Sequence, residues 1–423
     1  MILCGCRTTI RGFDPCTSAS QRCNAITEMP NIAPLNVILA VDPITPTLTG
    51  IGRYTFELAT GLSNVATDAD SAAAINSIRY FWHWKFVESI DPLLAPNVAA
   101  NIASSPDSLI HQWLRAAYEV VTPALQTYAL KGFATSLYHS PNFYLPERSG
   151  PSVTTFHDLS VSRFPEWHPK ARITHLAKAL PQALARADAI ITPTACVRAE
   201  LIASDQVDTE KIFVVPMGVS TAWFVAPRDA DAAALSAIGL VANEYALCVA
   251  TLEPRKNLIR LLRSYGSLAP SERKRWPLVL CGRLGWSSDN IQTEVALGVQ
   301  SGWLKYLGFV PDELIQVLMR QARCFVFPSL YEGFGLPVLE AMASGVPVVA
   351  SDIPSLREVA GSAALFPDPL SEYEIRVSIQ RALVDEAWRR TVKASGRLRA
   401  SEFSWARTVS ETVAVYAHVL TQQ

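Results

Sequence analysis

Two successive series of short apolar runs, each alternating with amphipathic helical stretches, leave this chain little choice of architecture. Strand-like runs fall at 36–42 (NVILAVD), 77–84, 136–139, 152–158, 189–194 and 212–218, with helical patterns at 53–62, 170–186 and 196–203. From 219 to 231 the pattern lapses, as in a linker. It restarts with strands at 245–250, 277–282, 305–310, 324–329, 346–351 and 363–366, and with helices at 257–267, 311–322, 337–344 and 372–384. Alternation of this kind predicts parallel sheets with helices on both faces. The expected fold is α/β, with two doubly wound units at 35–218 and 232–402. Ligands in such folds bind beyond the carboxyl ends of the strands, here in a cleft between the units. A last helix over 404–420 has apolar Val409, Val413, Val415, Tyr416, Val419 and Leu420. The segment 403–423 is expected to return to the first unit.

Bulk properties exclude several classes. The 423 residues are too many for one ordinary domain and comfortable for two. Hydrophobic residues make up 49% and charged residues 18%, which argues against wholesale disorder. A net charge of −1 and a pI of about 6.7 argue against nucleic acid as a partner. No apolar run reaches the roughly 18 residues that a membrane span needs. Residues 1–6 lack the charged start and apolar stretch of a signal peptide. A soluble, cytoplasmic protein is expected, and peripheral membrane contact at the inner face stays open. The segment 1–34 reads as a disordered extension, and Met29 is an alternative start. Its Cys4, Cys6, Cys16 and Cys23 do not have finger spacing. Cys196, Cys248, Cys281 and Cys324 are scattered and read as reduced thiols, several in the core.

The segment most informative about chemistry is 327–354, FPSLYEGFGLPVLEAMASGVPVVASDIP. A strand runs into a glycine loop, Glu332-Gly333-Phe334-Gly335. Pro337 suits a first helical turn, and Gly345 suits the left-handed residue after a helix. A helix N-terminus offers free N–H groups and a favourable dipole to a phosphate. Glycines permit close backbone approach to a ligand. Glu332 and Glu340 frame the loop, and carboxylates accept well from sugar hydroxyls.

This spacing and context resemble the signature of retaining glycosyltransferases of family 4, which have the GT-B fold of two Rossmann-like domains. Further blocks resemble the family in the same order: TGIGRYTFEL (49–58), YHSPNFYLP (138–146), FHDLS (156–160), VVPMGV (214–219), ATLEPRKN (250–257), YLGFVPDEL (306–314) and FSW (403–405). The likeness spans roughly 36–420. It implies that Glu340 holds the nucleotide ribose and that Glu332 lies near the donor sugar. It implies that the backbone at Phe334, Gly335 and Leu336 contacts sugar hydroxyls and the distal phosphate. Lys256 would meet the pyrophosphate, with Arg255 beside it, while Gly50 and Gly52 close over the diphosphate and His157 leans over the sugar. One departure is that many members carry an arginine five or six residues before the lysine, where this chain has Thr251 and Ala250. Arg255 is the candidate replacement; a solvated basic face is the other reading.

No cofactor or metal is implied. The expected donor is GDP-mannose, with UDP-glucose second, and the acceptor is a saccharide or lipid-linked hydroxyl in polysaccharide or O-antigen assembly. A nucleotide-sugar epimerase and a non-catalytic binding module are the alternatives. Asp68/Asp70 and Asp229/Asp231 have the DxD shape of a metal site but read as solvated surface. His139 reads as packed, and Trp82, His83 and Trp84 as the core and rim of a strand. Asp158 reads as a base or cap or as orienting its loop, and Thr194 with Arg198 as a helix start or as the cleft edge.

Overall fold

A computed structural model describes residues 35–67, 75–95, 121–204, 207–286 and 288–422. The extension 1–34 with its four cysteines, Asp68 and Asp70, and the acceptor-side stretch 97–120 lie outside the described residues.

The first sheet contains β1 (Leu35–Ala40), β2 (Ile75–Trp82), β3 (Lys85–Val87), β4 (Leu137–Ser140), β5 (Ser152–Thr155), β6 (Ala189–Thr192) and β7 (Ile212–Val214). Its order is β3-β2-β1-β4-β5-β6-β7, parallel except for β3 at the edge. The second contains β8 (Ala246–Val249), β9 (Leu278–Cys281), β10 (Leu304–Gly308), β11 (Cys324–Phe327), β12 (Val348–Ala350) and β13 (Ala364–Leu365), in the order β10-β9-β8-β11-β12-β13. Strands β4, β5, β6, β9 and β11 are buried at every residue, as strands covered by helices on both faces must be.

Each sheet reverses direction once. The chain goes outward from β1 to β3, then places β4 on the other side of β1, with Leu39 opposite His139. It goes outward again from β8 to β10, then places β11 beside β8, with Cys324 opposite Ala246. Loops that leave two strands at such a switch point diverge and open a crevice. Here the loops leaving β1, β4, β8 and β11 lead to Gly50, Pro141, Lys256 and Glu332. The fold thus brings segments far apart in sequence to one place.

Local chemistry accounts for several boundaries. The Ser371 side chain caps Glu372–Val384, and that of Ser404 caps Trp405–Thr421. The helix Lys170–Arg186 has the bounds its periodicity predicts. Other expectations are corrected. The strand expected over 77–84 ends at Trp82, because His83 adopts φ +56° and turns the chain into β3. Within the expected linker, Thr221–Phe224 is a short helical turn and a helix starts at Asp229. The helices Asp289–Gln300, Pro354–Ala360 and Glu386–Ser401 were not foreseen.

The chain passes between the units twice at one place. The Val219 N–H donates to the Phe403 carbonyl at 3.2 Å, and a Cβ on Gly218 would lie 2.2 Å from the Trp405 nitrogen. The last helix, Trp405–Thr421, then packs on Gly50–Thr67 so closely that a Cβ on Gly61 would meet Val409 at 2.4 Å. Tyr416 from that helix reaches His139 on β4, oxygen to Nδ1 at 2.6 Å.

Candidate active site

The loop after β11 is shaped by its glycines. Gly335 has φ +100° and precedes the helix Leu336–Ala343, with a proline in the first turn. After the helix Gly345 has φ +70°, as its position predicts. Gly333 has a different reason: a Cβ there would lie 1.7 Å from the His157 carbonyl oxygen. The sequence suggests glycines kept small for a ligand; at Gly333 the close neighbour is the first unit's own backbone. Phe334 turns its ring into the core against Phe403, at 5.9 Å, so only its backbone is available to a ligand.

A compact charge cluster fills the space between the loops. The Lys256 ammonium donates to Glu332 Oε1 at 2.5 Å, and Arg255 Nη1 donates to Oε2 at 3.1 Å. Arg255 also reaches Glu253 at 3.0 Å and Asp158, on the other unit, at 3.7 Å. Its guanidinium is therefore turned to three carboxylates, all largely shielded from water. Burial opposes charge on Glu332, but Lys256 and Arg255 outweigh it and hold the carboxyl below its ordinary value. Asp158 follows the same logic, with Arg255 and the Ser160 N–H overcoming burial. Arg255, opposed by burial but facing Glu332, Asp158 and Glu253, is held above its usual value. Asn257, in the left-handed region at φ +57°, donates to the Pro328 and Pro369 carbonyls at 3.0 and 2.7 Å. It ties the Pro254–Lys256 turn to the end of β11.

Glu340 is half-buried on the helix and differs from Glu332 in having no ion-pair partner among the described residues. Burial pushes its carboxyl up to about 8, with Arg53 opposing and Asp312 adding to the rise. Arg53 follows Gly50 and Gly52 at the start of Gly50–Thr67 and pairs with Asp312 across the cleft. A Cβ on Gly52 would lie 2.7 Å from the Pro43 carbonyl, whereas Gly50 has open space around it. A carboxyl raised in the fold stabilises it while protonated, and that contribution is lost as pH rises from the ordinary value of 4.5 through about 8. The melting temperature of Glu340→Gln should therefore gain on wild type between pH 5 and 8 and level off above. A gap that is flat with pH would show Glu340 to be ordinarily ionised.

His157 lies under the same loops. Its Nε2–H donates to the Pro141 carbonyl at 2.8 Å, and Tyr54 meets the ring edge-on at 4.8 Å. Nδ1 is buried without a partner among the described residues. Burial lowers its pKa, so the ring stays neutral. His139 is fully buried, between Tyr416 and Thr155 at 2.6 and 2.9 Å, and burial takes it down to about 3. It is a strand residue inside the first unit.

The structure adds residues that the sequence did not single out. The Tyr331 hydroxyl accepts from the Leu159 N–H at 3.0 Å and donates to Glu200 at 2.6 Å, joining the units beside Glu332. Ser355 donates to the Glu332 carbonyl at 2.6 Å. Glu358 accepts from the Ala195 and Cys196 N–H groups at 2.7 and 3.1 Å. Thr194, which the sequence did offer as a helix start or as the cleft edge, caps the helix Ala195–Ile202 and also donates to the Gly333 carbonyl at 2.9 Å. The only sequence signal for Tyr331 was its place beside Glu332. Asp231 corrects its expected solvated role: it is buried, paired with Arg320, and accepts from Gln321 at 2.9 Å.

Comparison with known proteins gives the following likenesses. The profile described as glycosyl transferases group 1 matches residues 240–399, and that of glycosyltransferase family 4 matches residues 87–223. The chain is 38% identical over 387 residues to O-antigen chain mannosyltransferase B of Escherichia coli, across 90% of this chain and 99% of that one. It is 24% identical over 330 residues to O-antigen chain mannosyltransferase RfbU of Salmonella typhimurium, across 77% and 84%. Sucrose-phosphate synthase of Thermosynechococcus elongatus superposes with a TM-score of 0.68 over 92% of this chain and 100% of that one. At 22% identity this is a likeness of fold.

Proposed function

The chain belongs to the group 1, family 4 glycosyltransferases of GT-B fold, and from that premise we propose that it is a retaining mannosyltransferase of O-antigen or related polysaccharide assembly. The donor is GDP-mannose, with UDP-glucose the second candidate, and the acceptor is a hydroxyl of a saccharide or lipid-linked glycan. The observation that carries this reading is the Glu332–Lys256–Arg255 cluster at the switch point of the second sheet, in a chain 38% identical to a mannosyltransferase.

The residues suggest a division of work. Lys256 and the N-terminus of Leu336–Ala343, with the backbone of Phe334, Gly335 and Leu336, take the charge that develops on the diphosphate as the bond to sugar C1 breaks. Glu340 accepts from the ribose hydroxyls, and Glu332 from a hydroxyl of the donor sugar. Gly50 and Gly52 bring the first unit's loop over the phosphates. Arg255, engaged by three carboxylates, positions Glu332 and Asp158. His157 faces the sugar with a neutral ring. The acceptor oxygen bonds to C1 on the face the phosphate leaves, and the leaving phosphate oxygen takes the acceptor proton. The two units at 35–218 and 232–402, joined by 219–231, would then hold acceptor and donor respectively. No helix among the described residues is long and apolar enough to cross a membrane, and a peripheral contact would bring the enzyme to a lipid-linked acceptor.

A panel of nucleotide sugars tests the donor. A ligand at about 100 times its Kd should add about 2.7 kcal/mol of stability, so GDP-mannose should raise the melting temperature most. Turnover should persist in excess EDTA. A larger shift with UDP-glucose would replace the donor, and activity abolished by EDTA and restored by magnesium would refute the metal-free mechanism.

A further inference from the structure

His168 follows the helical turn Pro165–Trp167 of the first unit and is 9% exposed. Both of its ring nitrogens are buried without a hydrogen-bond partner among the described residues. A buried polar group normally finds a partner, because leaving one unmade sacrifices its hydration with nothing in return. The position of the ring suggests what that partner is. Trp286, from the second unit, lies 5.8 Å from it, and the Trp286 indole N–H donates to the Trp167 carbonyl. The half-buried Trp167 ring in turn stacks on Phe164 at 4.2 Å. His168 therefore sits between the units, within electrostatic reach of Asp158, Arg255 and Glu253. That is the cluster holding Glu332.

The Arg172 guanidinium lies over the Trp286 ring at 5.7 Å, so the site sets an indole, a guanidinium donor and an imidazole side by side, a set that suits a hydroxyl-bearing sugar. A pyranose offers C–H groups to an indole and hydroxyls that both donate and accept. Neutral imidazole has one donor and one acceptor. Burial, followed by Arg172, lowers the His168 pKa, which disfavours the charged ring that an anion would want. The backbone of the segment belongs to the first unit, opposite the unit that carries Glu332 and Glu340.

We propose that His168 and Trp286, with Trp167, form a subsite that binds the acceptor saccharide next to the reaction centre. This rests on the glycosyltransferase reading for the word acceptor, but the site itself can be tested by binding alone. The probe is α-mannobiose, titrated by saturation-transfer NMR into the full chain saturated with GDP. His168→Ala and Trp286→Ala should each weaken mannobiose by about tenfold or more, the loss of one well-made polar or aromatic contact. Trp286→Phe and His168→Gln should recover part of the loss, and GDP affinity should not change. In turnover assays the same variants should raise the acceptor KM by more than they lower kcat.

Wild type that fails to bind mannobiose would overturn the subsite, as would variants that bind it like wild type. A rise in donor KM with mannobiose affinity unchanged would assign these residues to the donor sugar and also overturn it. Equal losses of GDP and mannobiose would show a merely structural role. If His168→Ala does not fold, the Trp286→Ala and Trp286→Phe pair carries the test. Failure of wild type to bind GDP while it binds UDP corrects only the donor, and the titration is then run with UDP.

Discussion

Glu332→Gln should lower turnover by about 10²–10³-fold, the size of effect seen when one group that stabilises a transition state is removed. Free GDP should nonetheless bind as tightly as to wild type, or more tightly. The reason is the double engagement of this carboxylate, with Lys256 on one oxygen and Arg255 on the other. A diphosphate that is to use Lys256 must share or displace the carboxylate. Glutamine keeps the shape and removes the competing charge, so nucleotide binding loses nothing. The sugar contact is lost, and an interaction made mainly in the transition state appears in turnover rather than in affinity. Calorimetry with GDP beside a turnover assay separates the two quantities. Loss of GDP affinity in Glu332→Gln as severe as in Glu340→Ala would place Glu332 at the nucleotide and refute the division of work between the two glutamates.

Gly333→Ala should be nearly as damaging with no loss of any functional group. The added carbon would lie 1.7 Å from the His157 carbonyl oxygen and 3.1 Å from the Asp158 Cβ. Backbone cannot yield as a flexible side-chain end can, so the β11 loop must withdraw from the first unit. That movement strains Thr194 on the Gly333 carbonyl, Tyr331 on Leu159, and Asp158 on Arg255 together. Misplacing a reacting geometry by about 1 Å costs roughly 10²-fold in rate. Turnover should fall by about that much, with a lower melting temperature. Gly50→Ala is the control, because nothing lies within 4 Å of the added carbon. Its melting temperature should match wild type. Equal melting temperatures of the two variants would show that the contact at Gly333 is not limiting.

The parts of the site readable in advance are those set by local backbone chemistry. Pro337 in a first turn and the positive φ of Gly345 depend on neighbours a few residues away. The alternation of strands and helices is local in the same sense and announces two sheets. The engagement of Arg255 is different in kind. It depends on Asp158, which the fold delivers from the other unit, so no spacing in the sequence signals it. Asp231 looked like surface because its neighbours are alanines; its partner Arg320 is distant in sequence. Glu358, Tyr331 and His168 were missed for the same reason, since each is given its surroundings by the meeting of two units.

The first unit is not a continuous piece of chain. Its last helix, Trp405–Thr421, is synthesised after the whole of the second sheet, yet it supplies the partner of His139 Nδ1 and the side chain that fits against Gly61. Until that helix is made, the face of β4 that carries His139 Nδ1 lacks the Tyr416 hydroxyl that the finished fold sets against it. The seam along Gly50–Thr67 lies open for the same interval. The usual order, in which an N-terminal domain finishes first, cannot complete here. The second unit has every strand of its sheet before the first unit closes.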